Sequence, residues 1–375
     1  MPSIRNILLV LPYYYRAIHE GVARFAREQG WYLNNTFVYG NLPRKATWKG
    51  DGVITQVTMS EQINEAFRRL ISPDVPILLI GRHILTDNPA IGRLAADHLV
   101  EKGFRNLAWM APSSIAGNQR LKAFEQRLIE KHGRSCLHMA LTPTLLDWEQ
   151  RLETLQAWLS KAPKPLGVFA VQDILAIQVI EAALAAGLRV PDDVAVLGAD
   201  NDDLICDAAI VPLSSIDCHL ERLGYEAAAV MDRHLNGEPL PDHPILIPPK
   251  GVVVRQSTDI VAVEHPEVAK ALRFIRENFR KDIGIADVVN ATALSQRGLY
   301  KAFRKHLDSS IGSHILRERL ACAQKYLLET NKKITAVALD SGFPGTATFY
   351  HAFKREFGMS PRQWRKRHQN VRSDS

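Results

Sequence analysis

The final 110 residues state one pattern twice. Residues 285–306 read IADVVNATALSQRGLYKAFRKH, and residues 334–357 read ITAVALDSGFPGTATFYHAFKREF. Each begins with a short apolar helix, passes a tight turn, and enters a second helix whose apolar anchors stand four apart. The anchors are Leu299 and Phe303 in the first copy, Phe349 and Phe353 in the second. Val288 and Val289 align with Val337 and Ala338, and Lys305 falls near Arg355. Residues four apart share a helix face, so each second helix is pinned on one side and free on the other. Two helix-turn-helix units on one polypeptide can address two successive major-groove faces of double-stranded DNA. Between them, Ile311–Thr330 places Leu316, Leu320, Ala323, Leu327 and Leu328 on one helical face. A helix of ~20 residues spans roughly 30 Å, close to the ~34 Å between successive grooves.

Charge follows the same division. Residues 264–375 carry 21 Lys and Arg against 11 Asp and Glu, while the whole chain is only +7. The first 263 residues are therefore net acidic, and the basic tail is the part suited to a polyanion. At 375 residues the chain exceeds one core and predicts two or three domains. No apolar run reaches membrane-spanning length. The N-terminal run Ile7–Leu11 is too short for a signal peptide and reads as a buried strand, so a cytoplasmic protein is expected. Cys136, Cys206, Cys218 and Cys322 are scattered, without metal-ligand spacing, and no metal or other cofactor is expected.

Ser295 is a good N-cap for the first reading helix. Its open face would offer Gln296, Arg297, Tyr300, Lys301 and Arg304. Arg and Lys can bond the acceptor edge of guanine, and Gln that of adenine. Arg304 and Lys305 serve phosphates equally well. In the second unit Thr346, Ala347 and His351 face outward. Lys354, Arg355, Arg362, Arg365, Lys366 and Arg367 are the phosphate candidates. Sequence specificity is expected mainly from the first unit.

Residues 1–258 alternate short apolar runs (Ile7–Leu11, Gly52–Thr55, Ile77–Ile80, Leu107–Met110, Gly167–Val171, Val194–Leu197) with amphipathic stretches such as Ile18–Gln29, Ile63–Leu70 and Leu175–Ala186. That alternation predicts parallel sheets covered by helices, with ligands at the carboxyl ends of the strands. Asp173, Asp200 and Asn201 directly follow strands. Arg16, Arg82 and Arg120 could complete a polar set for hydroxyls, and Tyr13, Tyr14 and Tyr15 could supply rings for apolar faces. Equally, a tyrosine there could pack between lobes, Asp173 could cap a helix, and His83 and Asp87 read better as loop residues. Residues 259–266 read as a linker, and 267–370 as wholly helical. No phosphate-binding glycine loop, nucleophile elbow or metal cluster is present, so no enzyme is expected.

Two resemblances sharpen this reading. From Glu267 to about His368 the chain resembles the DNA-binding domain of the AraC/XylS family. The resemblance rests on Arg319-Leu320, Ala323 and Leu327-Leu328, on Val337-Ala338, Gly342-Phe343, Phe349 and Phe353-Lys354, and on Gly358-Met359-Ser360-Pro361 with Arg365. It implies base contacts at Gln296, Arg297, Tyr300, Lys301, Thr346, Ala347 and His351. It departs at Pro344-Gly345, where the family places a polar cap, which predicts a frayed or shifted start for the second reading helix. The body resembles the LacI/GalR-type effector domain, itself similar to periplasmic sugar-binding proteins. That likeness rests on residues 91–99, 103–108, 120–124, 190–198 and 254–258. It implies a two-lobed α/β sensor with parallel sheets and an effector site using Tyr14, Arg16, Arg120, Asp173, Asp200 and Asn201. Sensor before reader is similar to the layout of enteric xylose-operon regulators. Tyr15 departs from that pattern, falling where an acid is usual. The expected effector is thus xylose or another sugar, with a non-sugar metabolite such as a purine, or a body that no longer senses, as alternatives. The resemblance further implies a homodimer, and RNA polymerase as a partner if the protein activates.

Overall fold

The computed structural model describes residues 4–38, 48–56, 69–112, 115–141, 148–260, 263 and 265–366. Residues 63–68 of the expected helix Ile63–Leu70, and Arg367, lie outside them. The chain divides into two compact units, Met1–Val261 and Ala262–Ser375.

The first unit holds two six-stranded sheets. In spatial order the first consists of β11 (Ile245–Ile247), β5 (Ile84–Thr86), β4 (Ile77–Ile80), β3 (Gly52–Gln56), β1 (Asn6–Val10) and β2 (Tyr32–Asn34). The second consists of β12 (Gly251–Val253), β10 (Ser214–Asp217), β9 (Val194–Ala199), β8 (Leu166–Ala170), β6 (Asn106–Pro112) and β7 (Leu137–Leu141). All pairs are parallel except β10 with β12. The central strands β8 and β9 are buried along their whole length, as parallel strands covered on both faces must be. The chain passes between the sheets three times: after β5, after β10, and between β11 and β12.

Helices α1 (Arg16–Glu28) and α7 (Leu220–Leu235) pack together on the first sheet's side. Helices α2 (Asn88–Glu101) and α3 (Ile115–His132) pack together on the second's. The α2–α3 approach depends on Gly92, because a Cβ there would lie 2.0 Å from the carbonyl oxygen of Arg120. That contact seats α3 and hence Arg120. The remaining helices of this unit are α4 (Trp148–Lys161), α5 (Asp173–Ala185) and α6 (Asp203–Ala208).

The second unit is helical: α8 (Pro266–Asn278), α9 (Ile285–Asn290), α10 (Gln296–Leu307), α11 (Ile311–Glu329), α12 (Ile334–Asp340) and α13 (Thr346–Phe357), then a helical stretch at 361–366. Helix α8 begins at the last residue of the segment expected as linker, with proline at the first helical position, where its missing N–H costs nothing. Around α9 and α10 the buried side chains include Val268, Ile275, Val288, Leu299, Phe303 and Ile311. Around α12 and α13 they are Leu320, Ala323, Leu327, Val337, Ala338, Phe343, Phe349, Ala352, Phe353 and Trp364. Gly342 takes φ +81°, and a Cβ there would lie 2.2 Å from the Phe279 carbonyl oxygen, so this turn closes only with glycine.

Candidate effector site and nucleic-acid interface

The two reading helices are built alike. Helices α10 and α13 each run 12 residues and begin 50 residues apart, at Gln296 and Thr346. Ser295 caps the first by accepting from the Gly298 amide at 3.2 Å. Gly345 has no side chain to offer, yet its carbonyl accepts from the Phe349 amide at 3.1 Å and α13 starts in register. The shift expected from Pro344-Gly345 does not occur. Phe349 and Phe353 bury completely and hold the helix where a cap would have positioned it. Gln296, Arg297, Tyr300, Lys301 and Arg304 are exposed on α10. So are Ala347, His351, Lys354 and Arg355 on α13, and Thr346 is half-buried. Each helix thus presents one open face with a cationic C-terminal end.

Arg319 has a different role from these. It lies on α11, and its Nε donates to the Phe279 carbonyl at 2.9 Å, its Nη2 to those of Lys281 and Ile283 at 3.1 and 3.4 Å. A guanidinium on α11 thus ties down the carbonyls of the C-cap and of the loop that follows α8.

In the sensor, the carboxyl ends of the strands bring together residues distant in sequence. Arg120 is 8% exposed. Its Nε donates to Asn88 Oδ1 at 2.8 Å, Nη1 donates to the Val171 carbonyl, and Nη1 and Nη2 both reach Asp200 Oδ1 at 3.3 Å. Nη2 also contacts the buried Cys218 Sγ at 3.8 Å. Tyr15 comes from the other lobe, at the start of α1. Its hydroxyl accepts from Gln172 Nε2 at 3.2 Å. The Asp200 charge, and then burial, raise the phenol's pKa, so Tyr15 stays neutral beside that carboxylate. Burial pushes the Asp200 carboxyl up and Arg120 pulls it back.

Asp200 and Asn201 hold positive φ values of 111° and 53°, a turn that non-glycine residues rarely adopt. Asp173 and Ser215 maintain it. Asp173 Oδ2 accepts from the Asp202 amide at 2.9 Å, Oδ1 accepts from Ser215 Oγ at 2.5 Å, and Ser215 Oγ accepts from the Asn201 amide at 3.0 Å. Burial, and then the Asp200 charge, push the Asp173 carboxyl up to about 7. Both its oxygens are thus engaged within the protein. Asp173 is the first residue of α5 rather than its N-cap, which is Gln172. The Asn201 side chain turns away from Arg120 and accepts from Arg255 Nη1 at 2.9 Å. Arg255 is itself fixed through its backbone to Ser214 Oγ, at 2.8 and 2.9 Å.

Of the six residues expected at the effector site, Arg120 and Asp200 pair at the buried centre of this group. Asp173 and Asn201 brace the Asp200 turn. Tyr14 and Arg16 lie outside this group: Tyr14 is exposed with its hydroxyl 3.2 Å from His19 Nδ1, and Arg16 pairs with Glu20 at 2.7 Å on the surface. His83 accepts from the Leu79 amide at 2.9 Å, and Asp87 caps α2 at Ala90. Sequence reasoning overlooked Tyr15 as a polar member, and Asn88, Gln172 and Cys218 altogether. All four share one signal, since each stands within a few residues of the carboxyl end of a strand. The assembled group is two charges, two amides and a phenol meeting where the lobes join, donors and acceptors suited to a polyhydroxylated ligand.

Comparison with known proteins agrees with both units. A periplasmic binding protein-like domain matches residues 96–258, and a helix-turn-helix domain matches 288–367. The xylose operon regulatory protein of Escherichia coli K12 is 30% identical over 372 residues, covering 94% of each chain. That of Haemophilus influenzae is 30% identical over 287 residues, 76% of this chain and 74% of the other. The solved structure of the xylose-binding transcription activator xylR is 28% identical, with a TM-score of 0.74 and coverage of 98% of this chain and 99% of that one. The likeness spans sensor and reader together, and the chain belongs to the family of the xylose operon transcription regulators.

Proposed function

We propose that this chain is a cytoplasmic, sugar-responsive regulator that binds a pentose, with D-xylose the first candidate, between its sensor lobes. The observation that carries the reading is the buried Arg120–Asp200 pair, flanked by Asn88 and by a Tyr15–Gln172 hydrogen bond that joins one lobe to the other. A sugar bridging these groups would favour the closed lobes and bias the geometry of the exit segment at Arg255. The reader binds an operator through α10 and α13, as one half of a homodimer, and meets RNA polymerase if it activates. No catalytic step is assigned to it.

The test is thermal unfolding against D-xylose, other pentoses, hexoses, polyols and purines. A ligand at 100 times its Kd adds about 2.7 kcal/mol, several degrees for a domain of this size. A shift with one pentose is the expected result. A shift with purines alone would replace the sugar reading by a second one, which the Tyr15 ring and the Asn88 and Gln172 amides favour.

A further inference from the structure

Two helices of the sensor begin without the help their first residues usually give. Tyr15 stands at the N-cap of α1 and Gln172 at that of α5, and neither side chain bonds an amide of its own helix. N-cap side chains ordinarily serve those amides. These two meet each other instead, across 157 residues of sequence and from one sheet to the other: the Tyr15 hydroxyl accepts from Gln172 Nε2 at 3.2 Å. Gln172 follows β8 and Asp200 follows β9, neighbouring strands of the second sheet. The phenol therefore reaches two adjacent strand ends at once. One is Gln172, and the other is the Asp200 carboxylate, whose charge acts on it more than burial does. Burial raises the Asp200 carboxyl, and Arg120, Cys218 and the Tyr15 hydroxyl oppose that rise as donors.

A hydroxyl both donates and accepts. The two partners that the Tyr15 hydroxyl meets, an amide donor and a carboxylate acceptor, are the two that a single hydroxyl of a sugar would bridge. A carboxylate in the place of Tyr15 could only accept and would repel Asp200. A phenol bridges both without adding charge. We propose that the Tyr15 hydroxyl is an internal stand-in for one effector hydroxyl: it holds the lobes together in the absence of effector, and an incoming ligand has to take Gln172 and Asp200 from it. The effector then re-forms the bridge between the lobes through itself. The inference rests on the effector-site reading and deepens it, because Tyr15 sets the affinity of the sensor by competing for the groups that the ligand needs.

The experiment compares the full chain with Tyr15→Phe, which keeps the ring and removes the hydroxyl. Without effector, hydrogen exchange is followed at the amides of Leu175, Ala176, Asn201 and Asp202, hydrogen-bonded at 3.2, 3.1, 3.0 and 2.9 Å around the foot of the site. Losing one net hydrogen bond between the lobes is expected to speed exchange there roughly 2- to 10-fold. Isothermal titration with D-xylose is expected to show binding to Tyr15→Phe tighter by roughly 2- to 10-fold. Tyr32→Phe, exposed on β2, is expected to change neither quantity. Circular dichroism melting checks the fold of each variant. If Tyr15→Phe does not fold, Gln172→Ala removes the other half of the bridge and is read by exchange alone. Unaltered exchange in folded Tyr15→Phe, or in Gln172→Ala where that variant stands in, overturns the proposal. So does equal or weaker binding of D-xylose by Tyr15→Phe, the weaker case making the hydroxyl a direct contact of the ligand. If D-xylose binds neither protein, the xylose reading falls while exchange still decides the bridge, and the two failures are thereby told apart.

Discussion

At the scale of single residues, the two functions separate. Arg297 is exposed on the open face of α10. Arg297→Ala is expected to lose roughly 1–3 kcal/mol of sequence-specific binding while ligand binding stays intact. Equal weakening on specific and random duplexes would make it a phosphate contact instead. Asp200 belongs to the proposed effector site. Removing its carboxylate by Asp200→Ala leaves the buried Arg120 charge unpaired, which costs on the order of 3–5 kcal/mol. Asp200→Asn keeps the shape and an acceptor, and is expected to fold, bind DNA and lose the ligand-induced stabilisation. An Asp200→Asn protein that keeps its full ligand response would remove Asp200 from the site. The choice between Tyr14 and Tyr15 shows what sequence leaves open at this scale. Both follow β1 in the strand-to-helix turn, where consecutive side chains point in different directions. Only the backbone path sends Tyr15 to Gln172 and leaves Tyr14 on the surface.

Elements were legible where their pattern was long. The repeated reading helices, the connecting helix α11 and the buried strands β1, β3, β4, β6, β8 and β9 follow from periodicity and apolar runs. Five of the six missed strands, all but β7, have identifiable reasons. Strands β2, β5, β11 and β12 are three residues each, too short for a pattern. Strand β10 reads Ser-Ser-Ile-Asp and looks like a turn, but Ser214 and Ser215 are fully buried because each hydroxyl has a partner, in Arg255 and in Asp173. A local polar run thus concealed a core strand that only long-range hydrogen bonds make affordable. Arg319 belongs to this scale as well. It was visible as a family feature, yet its three bonds to the C-cap of α8 and the loop after it give it a structural role. Arg319→Met is expected to destabilise the reader by about 1.5–3 kcal/mol, measured as a fall in Tm. A variant that melts like the unaltered protein and loses only DNA affinity would contradict that role.

For the whole molecule, two units with separate cores predict two unfolding transitions, and their buried titratable groups predict opposite responses to acid. Burial pushes His314 in the reader and His98 in the sensor down to about 4. Below the ordinary value near 6.5, the unfolded chain takes up a proton that each folded site refuses. Each histidine therefore withdraws stability as pH falls from there toward 4, by at most about 1.4 kcal/mol per unit. Asp173 has the other sign. Its carboxyl, pushed up to about 7, keeps a proton when folded that the unfolded chain releases above roughly 3.9, so acidification through that window adds stability to the sensor. Calorimetry at pH 7 and pH 5 is expected to show the reader's transition moving down while the sensor's, with His98 and Asp173 opposed, moves less. Equal downward shifts would mean that Asp173 ionises freely in the folded state.

On the proposed function, occupancy of the sensor sets the affinity of the reader. Asn201, Arg255 and Ser214 supply a bonded path from the Asp200 turn to the segment that leaves the sensor. The most direct test is to select a duplex from a random library with the full chain, then measure its Kd with and without the sugar that raises the chain's unfolding temperature. The expected change is at least about fivefold, the low end of ordinary coupling between two sites. Identical affinities with the sugar bound and absent would mean that sensor and reader share a polypeptide without communicating.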